Sequence, residues 1–359
     1  SNKLVQGERV YEAARKRAPD YTTAKMFWWY NMYAEVDVSI TPRPHYPADG
    51  RKIIDLYSTP PGFHQSIEKD IGAFPFFNFW GPKAGIESSE WIAESAKRDF
   101  LEHDPSLQLV YLPHLDYCLQ KFGPSHESIP KELRDIDALV GGLLDFYADK
   151  DVDVFIVSEY GIQNANQPIH INRVLRENGF IAVRDSLTWE LLDPGASRAF
   201  AVSDHQVAHV YLRHPSDLTR VKTLLENTPG IERVLDGEGK RNFHIDHERS
   251  GDLVVIAEPG CWFTYYYWLD DAKAPDFAPT VDIHRKPGYD PAEMFVDPNI
   301  RFPMLNVAWR LLQKRLGMRM LMDVIPIEAS LVQGSHGRMP EKEEEGAIFI
   351  APKKYATKN

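Results

Sequence analysis

The sequence predicts an α/β protein with a mostly parallel sheet and helices on both faces. Two observations support this prediction. First, residues 107–112 and 152–157 are short apolar runs that end abruptly in polar or acidic residues beside a glycine, as buried parallel strands do. Second, segments with helical periodicity stand between the strand-like runs, and this alternation is typical of a parallel sheet with crossover helices.

The elements up to residue 185 follow this alternating order. Residues 25–30 form an aromatic, strand-like run. Pro130 opens a predicted helix at about 130–149, because proline suits the first helical turn and apolar residues then recur at helical spacing. Gly179 ends a shorter helix near 168–178. Further helices are expected near 8–17, 61–71 and 88–103. We therefore assign residues 1–185 to the main α/β layer.

Residues 186–280 have a different pattern, in which short strands and turns dominate. Strands are predicted at 199–202, 206–212, 231–235 and 252–257. With one helix near 216–227, this region is expected to be an α+β insertion or cap. Residues 281–359 return to the main layer, with a helix near 303–317 and a strand at 347–351.

Composition restricts the partners and the location of the protein. Charged residues at 26% and hydrophobic residues at 43% indicate an ordinary globular protein. The net charge of −11 argues against a nucleic-acid partner, which would require a basic face. No apolar run approaches the roughly 20 residues that span a bilayer, so no membrane partner is expected. The two cysteines, Cys118 and Cys261, give no disulfide framework, which favours a reducing, cytoplasmic location.

Several acidic and histidine residues are candidate metal ligands. If the strands at 107–112 and 152–157 are neighbours, their carboxyl ends meet at one edge of the sheet, beside Asp116 and Glu159. Two carboxylates at one edge are best explained by a divalent cation, the alternative being a helix cap or a turn residue. His336 lies between Ser335 and Gly337, where small neighbours allow close approach to a metal, although a structural loop histidine is the alternative.

Three other segments could contribute to a site. His284 precedes a predicted tight turn. His205 and His209 alternate along a predicted strand and share one face of it; Asp204 and His205 could line a site or belong to the sheet surface. The aromatic block 262–268 fits a core better than a stacking surface. The sequence contains no phosphate-binding loop, dinucleotide-binding glycine motif or nucleophile elbow.

The order of these motifs resembles the alkaline phosphatase superfamily, and within it the nucleotide pyrophosphatase/type I phosphodiesterase group. The resemblance rests on Pro113 and Asp116 before Gly123-Pro, on Ser158-Glu-Tyr-Gly, and on the late His336-Gly. It covers about residues 1–185 and 280–350. It implies an alkaline phosphatase-like sheet and two metal ions, usually zinc, that hold the attacking and leaving oxygens of a phosphate ester.

Matched residue by residue, the resemblance implies a divergent metal site. Asp116 stands where the family has an aspartate ligand. The family's Asp-His pair is replaced by Glu159 and Tyr160, so Glu159 would help to hold a metal. His336 matches the late histidine ligand, and His284, in a similar His-x-x-x-Gly-Tyr-Asp turn, is the alternative.

Gln120 occupies the position of another family histidine. Glutamine and tyrosine are poorer zinc ligands than histidine, which favours manganese, magnesium or calcium over the family's zinc. Gln120 and Tyr160 are therefore expected to bind substrate, by donating hydrogen bonds to a phosphoryl oxygen.

The family forms a covalent intermediate on a serine or threonine, and the order of the motifs places that nucleophile upstream of Ser1. The expected function is metal-dependent hydrolysis of a small phosphate ester, with an N-terminal fragment of the same polypeptide as a further expected partner. The main alternative is a catalytically degenerate binding protein on the same fold. A cofactor-independent mutase or transferase of the same superfamily is less well supported, because no matching run of metal ligands is present.

Overall fold

The computed structural model describes residues 4–45 and 53–355 and confirms the predicted α/β class. The chain divides into two compact units. Unit 1 contains Ser1–Leu115 and Pro130–Val154, and unit 2 contains Asp116–Ile129 and Phe155–Asn359. The boundaries predicted at residues 185 and 280 stay predictions.

Unit 1 is built on a four-stranded sheet. Its strands are β1 (Thr23–Met26), β2 (Val38–Pro42), β3 (Leu56–Thr59) and β4 (Leu107–Val110). Strand β1 is parallel to both β2 and β4, and β3 joins β2 antiparallel at one edge. The predicted run 25–30 is a strand only to Met26, because Phe27 and Tyr30 have left-handed backbone angles that end the extended conformation.

The helices of unit 1 begin and end close to the predicted positions, except that the helix His114–Phe122 was not predicted. They are α1 (Val10–Arg17), α2 (Phe63–Ile71) and α3 (Ile86–His103), followed by α4 (His114–Phe122), which continues into unit 2, and α5 (Ile129–Tyr147). Helix α3 buries Trp91, Ile92 and Ala96 in the same apolar cluster as Met26 of β1. The apolar side of α3 thus packs against the sheet of unit 1.

Unit 2 contains a four-stranded antiparallel sheet in the order β11-β12-β10-β9. Its strands are β9 (Ala199–Asp204), β10 (Val207–Leu212), β11 (Ile231–Leu235) and β12 (Leu253–Ala257). Helix α7 (Leu218–Glu226) buries Val221 and Leu225. All four strands and the helix fall within the region predicted to be an α+β insertion.

A second sheet of unit 2 has the order β13-β6-β14. Its strands are β6 (Gln163–Ile169), β13 (Gly260–Phe263) and β14 (Gly334–Ser335), with β13 parallel and β14 antiparallel to β6. The aromatic block 262–268 is fully buried against it, which confirms the predicted core role.

Shorter elements complete unit 2. They are β5 (Ile156–Val157), α6 (Ile171–Glu177), β7 (Val183–Ser186), β8 (Trp189–Leu192), α8 (Gly237–Asn242), α9 (Pro303–Arg315) and β15 (Phe349–Ile350). Within the described ranges, no helix is both long and apolar enough to cross a membrane.

The strand predicted at 107–112 is present as β4, but the prediction that it neighbours the run 152–157 is wrong, because β4 pairs with β1. Strand β4 ends at Val110, and Asp116 lies in a helix rather than at a strand end. Strand β5 has two residues and pairs antiparallel with β15. Phe155 and Val157 are exposed, so this apolar run is not the buried central strand that its composition predicts.

Candidate active site

Helix α4 positions the central carboxylate of the candidate site. Asp116 lies in its first turn and Gln120 one turn later, so that both side chains project from the same face. The Gln120 Nε2 donates a hydrogen bond of 2.9 Å to Asp116 Oδ1. Asp116 is half-buried and Gln120 is buried. The glutamine thus holds the carboxylate in place rather than facing solvent.

Tyr160 reaches the same carboxylate oxygen from the chain that follows β5. Its hydroxyl donates to Asp116 Oδ1 at 3.0 Å. Its ring stacks on the imidazole of His336, with ring centroids 3.6 Å apart and planes 2° from parallel. Asp116, Gln120, Tyr160 and His336, four residues singled out from the sequence, therefore lie together.

The loop that carries His336 is fixed by backbone contacts on three sides. The amide of Gln333 donates to the carbonyl of Gln120 at 2.9 Å, and β14 pairs with β6. The carbonyl of His336 accepts from the amide of Gln206 at 2.9 Å. Gly334 permits this packing, because a Cβ there would lie 2.2 Å from the carbonyl oxygen of Leu119.

A second histidine, His205, meets His336 from the hairpin between β9 and β10. Their ring centroids are 3.9 Å apart. The predicted strand at 206–212 begins only at Val207, and His205 lies in the two-residue turn with a φ of 56°. His205 and His209 therefore do not share a strand face as predicted.

Tyr289 completes the group on the far side of His205. The two ring centroids are 4.4 Å apart, and the Tyr289 amide donates to the Ser203 carbonyl at 3.0 Å. Burial, with smaller contributions from nearby Tyr117 and Asp116, raises the pKa of Tyr289 well above its usual range. We call Asp116, Gln120, Tyr160, His336, His205 and Tyr289 the Asp116 cluster. The sequence analysis did not identify Tyr289, although it noted the Gly-Tyr-Asp turn.

Burial keeps the imidazoles of the cluster neutral. It lowers the pKa of His336 to about 4. The pKa of His205 falls well below its usual value because of burial and, to a lesser extent, the nearby His336. Burial raises the pKa of Asp116, while hydrogen bonds from Gln120 and Tyr160 act in the opposite direction. Both histidines can thus offer a lone pair at neutral pH.

The two other predicted ligands are exposed. Glu159 precedes Tyr160, and its negative charge contributes to the raised pKa of Asp116. His284 lies in a short 3-10 turn, Ile283–Arg285, and the segment that follows it contributes Tyr289 to the Asp116 cluster.

A different histidine–carboxylate group lies in unit 1. Among the described residues, the one group of three such side chains whose ligand atoms lie within 4.8 Å of one another is His114, Glu132 and Asp135. The His114 Nε2 is 3.0 Å from a Glu132 oxygen, and Lys131 forms a 2.5 Å ion pair with Asp135. We call these three residues the His114 group.

The Asp116 cluster fits a divalent metal in its chemistry. It combines a carboxylate with neutral imidazoles, a donor set that suits borderline cations such as zinc. Buried polar atoms also lack a hydrogen-bond partner within the described chain: Gln120 Oε1, His205 Nδ1, Gln206 Oε1 and Ser335 Oγ. Such atoms are costly unless a bound group satisfies them.

Comparison with known proteins identifies a family. The family described as type I phosphodiesterase / nucleotide pyrophosphatase matches residues 1–290 of the chain. No curated protein matches the sequence.

Similar folds occur among solved structures at low identity. Phosphonoacetate hydrolase from Sinorhizobium meliloti, solved with phosphonoacetate, is 13% identical over 74% of this chain and 62% of its own, with a TM-score of 0.47. Murine ectonucleotide pyrophosphatase/phosphodiesterase 5 is 15% identical over 72% of this chain and 56% of its own, with a TM-score of 0.43. The chain therefore spans about three fifths of the length of these proteins.

Proposed function

The chain belongs to the type I phosphodiesterase/nucleotide pyrophosphatase family, and we propose that it is a metal-dependent hydrolase of a small phosphate ester with a divergent metal site. The observation that carries this proposal is the Asp116 cluster. One half-buried carboxylate, held by two hydrogen bonds to a single oxygen, lies beside neutral imidazoles and buried polar atoms without partners.

The residues of the cluster have distinct proposed roles. Asp116 and His336 hold one metal ion, and Glu159 helps to hold a second, with His284 as the alternative histidine ligand. A bound metal polarises a phosphoryl oxygen and stabilises the charge of the transition state. Zinc is the family's usual metal, and manganese, magnesium or calcium suit a site with more oxygen ligands.

Gln120 and Tyr160 position the carboxylate and can donate to a phosphoryl oxygen. Each already donates to Asp116 Oδ1. Because both donors converge on this oxygen, the orientation of Oδ2 is fixed as well. The Tyr160 ring also holds His336 by stacking. These contacts orient the site without supplying a further charge.

The proposal is tested by metal removal and return. The purified protein is assayed with bis-p-nitrophenyl phosphate. Chelation should abolish turnover, and zinc or manganese should restore it. In Asp116→Asn no metal should restore turnover, whereas exposed Asp151→Asn should behave as wild type. Turnover that is insensitive to the chelator and to Asp116→Asn would overturn the proposal.

A degenerate binding protein is the second candidate, and one observation favours it. At positions 120 and 160, where the resemblance leads us to expect histidine ligands, the side chains instead donate hydrogen bonds to Asp116. Calorimetry with a nucleoside monophosphate distinguishes the two functions. Saturable binding without turnover under any metal would establish this second function in place of the first.

A further inference from the structure

The turn at His205 places a histidine at the first central position of a two-residue hairpin, where the backbone geometry requires a positive φ. Asp204 and Val207 pair directly, which leaves His205 and Gln206 as a two-residue loop. His205 has a φ of 56°, a region that favours glycine and asparagine and is costly for other side chains. The hairpin therefore explains the positive φ, but it does not explain why a histidine stands where glycine, asparagine or aspartate is preferred.

Backbone hydrogen bonds anchor the strained turn to its surroundings. The His205 carbonyl accepts from the amide of Phe263 at 2.7 Å. Gln206 donates its amide to His336 and accepts from Ala257 at 2.9 Å, and its side chain donates to Cys261. The turn is thus held against β12, β13 and the His336 loop, which points the His205 ring into the Asp116 cluster.

The ring of His205 has one nitrogen committed to no partner. His205 is 7% exposed, and its Nδ1 is buried without a hydrogen-bond partner in the described chain. Its Nε2 lies 3.8 Å from an oxygen of Asp204. A histidine whose second nitrogen faces a carboxylate is a common arrangement of metal ligands, because the carboxylate fixes the tautomer and the ring orientation.

We propose that His205 is a metal ligand of the Asp116 cluster through Nδ1, and that it supplies an imidazole in place of the histidines absent at positions 120 and 160. This inference rests on the proposed metal-dependent function. The ligand atoms of Asp116, His205 and His336 do not form a group within 4.8 Å in the described chain, so binding requires an imidazole to turn out of the stack. The site would then draw one ligand from the hairpin of the antiparallel sheet.

The test uses two nearly isosteric substitutions. Asparagine and aspartate both tolerate the left-handed backbone of the turn, but only aspartate supplies an anionic ligand. Metal-free protein is titrated with Co²⁺, which reports its ligands by visible absorption, and zinc content is measured by mass spectrometry. His205→Asn should weaken affinity by about a hundredfold or more, since loss of a residue that only orients a ligand already costs about ten- to a hundredfold, and it should change the cobalt spectrum. His205→Asp should recover much of the affinity.

His209→Asn is the matched control. His209 lies on β10 of the same hairpin, and its Nδ1 accepts from the Gly251 amide at 3.1 Å. It should bind cobalt like wild type. Equal affinity and an identical spectrum in folded His205→Asn would overturn the assignment of His205 and leave the proposed function standing. A wild-type protein that binds neither cobalt nor zinc would overturn both.

Discussion

The Asp116 cluster and the His114 group both combine histidine with carboxylate side chains, but they differ in how these side chains are arranged and in what lies next to them. In the His114 group the ligand atoms already lie together, and each carboxylate has a cationic or imidazole neighbour: Glu132 has His114, and Asp135 has Lys131. In the Asp116 cluster the imidazoles are stacked and neutral. Both regions contain buried polar atoms without a hydrogen-bond partner among the described residues, including the two ring nitrogens of His114.

We infer that proximity of ligand atoms is not sufficient for a metal site in the His114 group. Lys131 supplies the positive charge that a cation would supply, and it lowers the pKa of Asp135. We therefore interpret the His114 group as a structural ion-pair network. Within the described ranges, buried atoms without a hydrogen-bond partner occur in both regions. We therefore base the proposed functional role of the Asp116 cluster on its neutral, stacked imidazoles beside a hydrogen-bonded carboxylate.

The largest expected effect is a difference in turnover between variants of the Asp116 cluster and variants of the His114 group. His336→Asn removes a proposed metal ligand and should lower turnover of bis-p-nitrophenyl phosphate about a thousandfold, which corresponds to about 4 kcal/mol of transition-state stabilisation. Glu132→Gln in the His114 group should leave turnover within about twofold of wild type. Equal losses in both variants, measured on protein of equal fold by circular dichroism, would remove the distinction.

The next effect concerns a buried imidazole outside both regions. His170 has a pKa lowered to about 4 by burial, but its Nδ1 lies 2.8 Å from the Thr264 hydroxyl. Between pH 6.5 and about 4 the unfolded chain binds a proton at His170 that the folded chain does not. The free energy of unfolding therefore decreases as the pH is lowered, by up to about 3 kcal/mol. His170→Asn should reduce this loss in urea unfolding at pH 7 and pH 5, with or without metal. An unchanged pH dependence would show that His170 does not cause it.

A smaller effect should appear in the stability of unit 1. His114 is buried, and Glu132→Gln removes the charge that faces its Nε2 at 3.0 Å. The unpaired imidazole should lower the free energy of unfolding by about 1–2 kcal/mol. Exposed Glu127→Gln is the control and should have no effect. If Glu132→Gln is as stable as wild type but loses bound metal, the His114 group is a metal site and our interpretation fails.

Local sequence patterns predicted the helices and the antiparallel strands well. Pro303 starts α9 and Pro130 lies in the first turn of α5, because proline and apolar periodicity act within one element. Strand neighbours were not predictable in the same way. The apolar runs that contain β4 and β5 look alike in sequence. Their strand partners differ, because pairing is set by tertiary packing and not by the local sequence.

Only part of the candidate site could be predicted, because its residues come together through tertiary packing. Asp116 and His336 lie within motifs that resemble those of the family, so both could be predicted from the sequence without knowledge of their contacts. His205 was noted but placed on a strand, because the alternation with His209 is typical of one and no glycine or asparagine marks the turn. Tyr289 has no sequence signal except its place in a Gly-Tyr-Asp turn.

The smallest expected effect tests how the Asp116 cluster is held together. Tyr160→Phe removes the hydroxyl that donates to Asp116 Oδ1 at 3.0 Å and keeps the ring that stacks on His336. Turnover should fall about tenfold, or about 1.4 kcal/mol, and the acid limb of the pH–rate profile should move to higher pH, because the lost hydrogen bond favoured the carboxylate. Tyr211→Phe, which removes a surface hydroxyl that donates to the Arg249 carbonyl, is the control. An unshifted acid limb would show that the Tyr160 hydroxyl does not stabilise the charged form of Asp116.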